Sequence, residues 1–183
     1  MTPIRLCILG HSGAGKSTTA AIIGGVAAAH SIRCEVVKVA APLYELQHAI
    51  YSRLGHQLDP GQQDQVLLEQ LATWIRARDP RFLVGDFLSR AEKTPADLLV
   101  NDDVRSFDFD YPELRRRGWV SIRVSATQEH RRKRLAALGY VSLSDSSTAG
   151  VDETDVDFDV RNDASVDDLR EEITTIVEAV LAC

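Results

Sequence analysis

The chain has 183 residues, 44% of them hydrophobic and 26% charged, which excludes a disordered, collagen-like or disulfide-scaffold protein and suits one soluble domain with a real core. Its formal charge of -6 is uneven: residues 1–144 carry a net +4 and residues 145–183 a net -10. A net acidic chain argues against a broad basic nucleic-acid surface, but leaves room for a local basic site in its first three-quarters. Ile4-Arg5-Leu6-Cys7-Ile8-Leu9 is a short apolar run that stops at Gly10 and predicts a buried strand. Residues 15–30, rich in Ala and Ile, suit a helix packed on a sheet, and the β-branched stretch 34–39 predicts a second strand. Pro42 can sit in the first turn of a helix reaching about Leu54, and 55–61, with Asp59-Pro60-Gly61, is a loop.

Leu67, Leu68, Leu71, Trp74 and Ile75 recur at helical spacing; Asp79-Pro80 ends that helix before a shorter one through about Ala91. Leu98-Leu99-Val100 is a compact buried strand followed by polar Asn101-Asp102-Asp103. Pro112 opens a helix that ends near Gly118, Val120, Ile122 and Val124 alternate as a strand, and 127–137 is a basic helix. Residues 138–155 are Ser- and Asp-rich and read as a mobile segment; Phe158 to Val160 is a short strand. Ser165 with Asp168 starts a capping box, and Val166, Leu169, Ile173, Ile176, Val177 and Val180 give a final amphipathic helix. Strands alternating with helices imply a three-layer α/β/α domain around a parallel sheet, spanning 1–183 without repeat or linker. Cys7, Cys34 and Cys183 have no metal-like spacing and read as reduced thiols in a cytoplasm. The most apolar stretch, 20–29, is too short to span a membrane.

One segment carries specific chemistry. Gly10-His11-Ser12-Gly13-Ala14-Gly15-Lys16-Ser17 fills every fixed position of G-x-x-x-x-G-K-[ST] between a predicted strand and a predicted helix. The glycines let backbone N–H groups face a polyphosphate, and the helix N-terminus adds its positive end. Residues His11 to Thr18 are therefore assigned to the triphosphate, with the His11 backbone mattering more than its ring. Lys16 can bridge phosphates and the Ser17 hydroxyl can ligate Mg²⁺. Asp102 and Asp103 follow a buried strand where either carboxylate could serve the metal or its waters, and Arg105 could meet an anion at the same sheet edge. Among Arg131-Arg132-Lys133-Arg134, one or two residues could stabilise charge on the transferring group as part of a lid-like segment at about 131–155. Arg115-Arg116-Arg117 has no such context and reads as surface. His30, His48, His56 and His130 read as structural or solvent-facing.

The order of these features resembles the phage and bacterial deoxynucleoside monophosphate kinases, within a wider group of P-loop kinases. Ala40-Ala41-Pro42-Leu43 is similar to the family's Ala-x-Pro-Leu segment at the acceptor-side helix. Leu67-Leu68-Glu69-Gln70-Leu71 with Arg76, then Asp79-Pro80-Arg81-Phe82, resembles its Leu-rich stretch with Arg and Asp-Pro-Asp-Phe. Asp103-Val104-Arg105 resembles its Asp-x-Arg segment, and Asn162-Asp163 its closing turn beside the adenine. The chain departs from the family at Ser106-Phe107-Asp108-Phe109-Asp110-Tyr111, longer and more acidic than usual, at Ala72-Thr73 for Gly-Thr, in the absence of a His-x-Ser-Glu lid pattern from 138–155, and at Lys38, usually apolar.

The resemblance implies a P-loop kinase fold with a short lid, and ATP and Mg²⁺ as cofactors. Taken with the reading of the residues themselves, it puts Lys16, Asp103, Arg105, Arg131 and Arg134 in catalysis; Lys38, Pro42, Leu43, Arg76 and Arg105 at the acceptor; Asn162 by the nucleotide; and Ser17, Asp102 and Asp103 at the metal. The expected reaction moves the ATP γ-phosphoryl group to a small phosphorylated acceptor, a (deoxy)nucleoside monophosphate. The alternatives are a hydroxyl of a nucleoside, modified base or other metabolite, and a regulatory NTPase without a small acceptor. The expected partner is this acceptor, with no broad nucleic-acid binding surface and no membrane; a homodimer is compatible with the chain.

Overall fold

Strand β1 (Ile4–Leu9) sends Leu6 and Ile8 to one face of the sheet and Cys7 and Leu9 to the other, all four fully buried. A strand covered on both faces reads as a continuous apolar run. The computed structural model describes residues 2–58, 62–137, 148 and 150–182. Its five strands run parallel in the order β2 (Cys34–Val36), β3 (Leu98–Asn101), β1, β4 (Val120–Ser125) and β5 (Phe158–Arg161). Helices α1 (Lys16–Ala29) and α7 (Val166–Leu181) cover the Leu6 and Ile8 face, where Ile23, Leu169 and Ile173 complete one core. The opposite face carries α2 (Ala41–Arg53), α3 (Gln65–Arg76), α4 (Phe82–Lys93) and α5 (Asp110–Arg116), with Phe87 and Trp119 tilted against each other at 5.1 Å. This is the expected three-layer α/β/α arrangement. Burial pushes the Cys7 thiol up to about 12, so this cysteine packs and does not react.

The topology places the site. The chain leaves β1 toward β2 on one side, whereas it leaves β3 toward β4 on the other. Ligands of open α/β sheets bind where such connections diverge, beyond the carboxyl ends of the strands. Cys7 pairs with Asn101, so the loop after β1 and the Asp102-Asp103 pair after β3 emerge side by side.

Several elements differ from expectation. Strand β2 ends at Val36, not Val39, because side chains take over its hydrogen bonds: Asn101 Nδ2 donates to Val37 O, and Asp103 accepts from Val39 and Ala40. Helix α4 has 12 residues, the same as α3, where a shorter helix was expected. Helix α5 starts at Asp110, and Pro112 lies within its first turn, where a backbone N–H has no helical partner. Of the expected mobile segment, 138–147 and 149 lie outside the described residues, as do 59–61 and Cys183. The rest of it is anchored at two points: Thr148 and Val151 are fully buried, and Arg123 Nη1 donates to the carbonyls of Val151, Asp152 and Thr154. Helix α6 (Gln128–Ala137) runs beside the loop that follows β1. Among the described residues no helix is long and apolar enough to cross a membrane.

The capping box at Ser165 is present in full, with Asp168 N donating to Ser165 Oγ at 3.1 Å and Ser165 N to Asp168 Oδ2 at 3.0 Å. Ser165→Ala is expected to cost about 1 kcal/mol of folding stability in urea titrations, with an unchanged m-value. No loss of midpoint would show that α7 is fixed by its packing alone.

Candidate active site

Lys16 opens α1 directly after the glycine loop, and its geometry depends on residues far away in sequence. Gly15 has φ 114°, and a Cβ there would lie 2.3 Å from Asn162 Nδ2. That close approach is used, because Asn162 Nδ2 donates to Ala14 O at 2.8 Å. Arg134 bonds to Ala14 O at 3.3 Å and Asn162 O at 2.9 Å, and Arg131 to Ser12 O at 3.3 Å. The loop carbonyls are thus held from behind by α6 and the turn after β5, which fixes the backbone whose N–H groups an anion uses. The His11 ring lies 2.8 Å from Thr148 Oγ1 and 2.9 Å from Asp152 Oδ2, so this side chain, and not only its backbone, ties the loop to the segment before β5.

Two adjoining cavities open beside the loop. One, of about 590 Å³, is lined by Ser12, Gly13, Gly15, Lys16, Ser17, Thr18, Lys38, Asp102, Arg105 and Arg134 among others. The second, of about 790 Å³, is lined by Val39, Leu43, Tyr44, Trp74, Arg76 and Arg105 among others. Tyr44, Gln63, Glu69, Asp103 and Arg105 border both, which makes them two ends of one cleft. Neither lining contains His11, Ala14, Pro42, Arg131 or Asn162. Asn162, expected beside the adenine, instead stands behind the phosphate loop, 6% exposed. Arg131 and Arg134, expected to close over the triphosphate, hold the loop backbone, and of the two only Arg134 also reaches the cleft. Pro42 serves the first turn of α2, while its neighbour Leu43 reaches the cavity.

The two carboxylates after β3 have different tasks. Asp103 Oδ1 accepts from Val39 N and from Asn101 Nδ2, both at 2.7 Å, and Oδ2 accepts from Ala40 N at 3.0 Å. Burial pushes its pKa up, while these N–H donors favour the ionised form and pull it down. With both oxygens accepting N–H groups, Asp103 holds the β2–α2 connection while also bordering both cavities. The nearly buried Asp102 carboxylate instead pairs with the Lys38 ammonium on the wall of the smaller cavity.

On the acceptor side, Arg76 at the end of α3 donates through Nη2 to Asp110 Oδ2 at 2.7 Å. Asp110 is fully buried at the start of α5 and does not line the cavity. Burial pushes its carboxyl up, opposed first by the Arg76 charge. A buried pair of this kind is an anchor for the arginine more than a source of net stability. Asp110 lies in the long acidic stretch after Arg105, which was the only sequence signal for it. Arg105 stands between the two cavities, 3.4 Å from Ser12 Oγ.

Lys16 Nζ donates to Gly10 O at 2.7 Å and His11 O at 3.0 Å. Burial, and then the like charge of Arg105, lower its pKa from 10.5 to about 7, against an opposing pull from Asp102 and Asp103. An anion placed beside it restores the charged form.

No family model matches the sequence, and no curated protein matches it. Solved structures do share its architecture. A shikimate kinase from Acinetobacter baumannii in complex with shikimate superposes with a TM-score of 0.55 at 12% identity, covering 97% of this chain and 94% of that one. A gluconokinase from Sinorhizobium meliloti 1021 gives 0.54 at 14% identity, covering 97% and 93%. A shikimate kinase from Aquifex aeolicus gives 0.53 at 12% identity, covering 96% and 97%. At such identities the likeness is one of fold, and the fold is that of P-loop kinases.

Lys16 gives a direct test of the electrostatics. At about pH 8 a lysine with a pKa near 7 is largely neutral, so binding of sulfate, which does not titrate there, should be accompanied by proton uptake. Calorimetry in buffers of different ionisation enthalpy reads that uptake, and Lys16→Met should abolish it. Uptake that survives in Lys16→Met would place the titrating group elsewhere.

Proposed function

We propose that this chain transfers the γ-phosphoryl group of ATP to a small anionic acceptor, in first place a (deoxy)nucleoside monophosphate. The observation that carries this reading is the division of charge along one cleft. A phosphate loop with a buried lysine borders one end, Arg76 borders the other, and Arg105 stands between them. The best-placed carboxylate, Asp103, is occupied by backbone N–H groups.

Phosphoryl transfer needs in-line placement and neutralisation of spread negative charge more than it needs covalent help. A phosphate acceptor has a second pKa of about 6 and is already nucleophilic at neutral pH without a strong base. It needs cations to hold it, and Arg76, steadied by Asp110, and Arg105 supply them. Lys16 and the backbone N–H groups of the loop hold the donor phosphates. Arg131, Arg134 and Asn162 keep that loop in shape from behind. Ser17 and Asp102 are the residues that would hold Mg²⁺. Among the described residues no group of three or more His, Cys, Asp or Glu could hold a metal alone, which suits an ion shared with phosphates. Bound there, Mg²⁺ would neutralise charge on the phosphoryl oxygens.

A second reading has its own support. Two of the structures sharing this fold are a shikimate kinase and a gluconokinase, named for hydroxylated carboxylates. Arg76 and Arg105 could equally grip a carboxylate, with a hydroxyl receiving the phosphoryl group; Asp102, freed from Lys38, would then be the base.

ADP release from Mg-ATP across a panel of nucleoside monophosphates, nucleosides and small hydroxy acids separates the two. Stimulation by monophosphates is expected. Arg76→Ala and Arg105→Ala should each raise the acceptor KM by about 10-fold or more, the loss of one charged hydrogen bond. Stimulation by hydroxy acids alone would install the second reading, and stimulation by nothing would remove both.

A further inference from the structure

Asp102 is a buried anion whose hydrogen-bonded partner is the Lys38 ammonium, and Lys38 is held at its backbone while its side chain is partly exposed. The Asp102 side chain is 2% exposed, whereas the Lys38 side chain paired with it is 37% exposed. The backbone around Lys38 is clamped on both sides. Arg90 Nη2 donates to Lys38 O at 2.8 Å, and Arg90 Nε is itself tied to Asp86 at 2.7 Å. The next two backbone N–H groups, of Val39 and Ala40, are held by Asp103. The four-carbon stem of Lys38 can therefore swing while its Cα stays in place.

Asp102 cannot be left alone. A buried charge without a partner is strongly unfavourable, so displacing Lys38 favours the arrival of another cation or a proton. Ser17, whose hydroxyl is the other metal-competent group, lines the same cavity as Asp102 and Lys38. A divalent ion held between Ser17, Asp102 and phosphates would compete with the Lys38 ammonium for the same carboxylate. The charges of both Asp102 and Lys38 are already felt at Lys16, so this exchange takes place within electrostatic reach of the phosphate loop.

We propose that Lys38 is the resident counter-ion of Asp102 and is exchanged for the divalent ion that accompanies the nucleotide. The exchange keeps Asp102 neutralised throughout. It also releases an ammonium into the cleft, next to Arg105, when phosphate oxygens arrive there. Lys38 then acts twice, first guarding the metal carboxylate and afterwards adding positive charge where the phosphoryl group passes. This rests on reading the cleft as a site for a metal-bound nucleotide.

The test measures ADP binding by calorimetry at about pH 8, with and without Mg²⁺, and takes the ratio of the two dissociation constants. In the wild type Lys38 neutralises Asp102 when no metal is present, and the ratio stays modest. Lys38→Met should leave Asp102 facing the phosphates, weaken metal-free binding, and raise the ratio by about tenfold, the size of one charge-pair coupling. Lys38→Gln, which keeps a polar tip, should raise it in the same direction and guards against a packing artefact of methionine. Asp102→Asn should lower the ratio, and adding Lys38→Met to it should change nothing further. An unchanged ratio in Lys38→Met and Lys38→Gln, or effects that simply add in the double variant, would overturn the exchange while leaving the nucleotide site standing. Failure of the wild type to bind ADP at all would overturn both.

Discussion

The cleft depends on one buried carboxylate that gathers backbone N–H groups at the strand ends. Asp103 closes hydrogen bonds to the backbone of Val39 and Ala40 and to the amide of Asn101, whose Nδ2 also donates to Val37 O at 2.8 Å. These bonds end β2 early and turn the chain into α2. They set where Lys38, Leu43 and Tyr44 stand relative to the phosphate loop. Because Asn101 is also the last residue of β3 and pairs with Cys7, the same network registers this turn against β1. One strand-end cluster thereby aligns the two halves of the cleft. Buried polar networks with every member satisfied have this kind of rigidity, and a partly satisfied one would not.

Charge in the cleft follows a consistent pattern. Three cations of the cleft are either held by an anion set behind them or lowered by burial until an anion arrives. Arg76 leans on Asp110, Lys38 on Asp102, and Lys16 sits near neutrality with its ammonium hydrogen bonds directed to loop carbonyls. This limits repulsion among cations in the ligand-free protein while leaving them available to phosphates. The overall charge of -6 says nothing of this arrangement, since the acidic excess belongs to residues 145–183. Within that portion Asp157 and Asp159 pair with Arg115 and Arg123, and Asp168 caps α7. Arg115 is thus a structural partner, and not only surface.

What could be read from the sequence was what local chemistry determines. The phosphate loop was legible because its backbone demands glycine, lysine and a hydroxyl at fixed spacing, and the strands because burial on both faces requires continuous apolar runs. The capping box was legible for the same reason, since its partners lie three residues apart. The roles of Asp102 and Asp103 were not legible, because their partners lie 63 or 64 residues away. Asp110 could be noticed only as an oddity of composition, and its meaning comes from Arg76, 34 residues earlier. Residues 150–155 looked solvated because they are polar. Their backbone is instead gathered by Arg123 around a fully buried Val151, a solution that no local pattern announces.

Whether Asp103 acts as a positioning group or as a base or metal ligand is measured most directly by Asp103→Asn. Asparagine keeps the size but offers only one acceptor oxygen to the two backbone N–H groups. The expected result is a raised acceptor KM with kcat within about tenfold of wild type and an unchanged Mg²⁺ requirement, since losing a positioning contact weakens binding more than chemistry. A fall in kcat of about 10³-fold with the acceptor KM unchanged would contradict the account, because that is the signature of removing a general base.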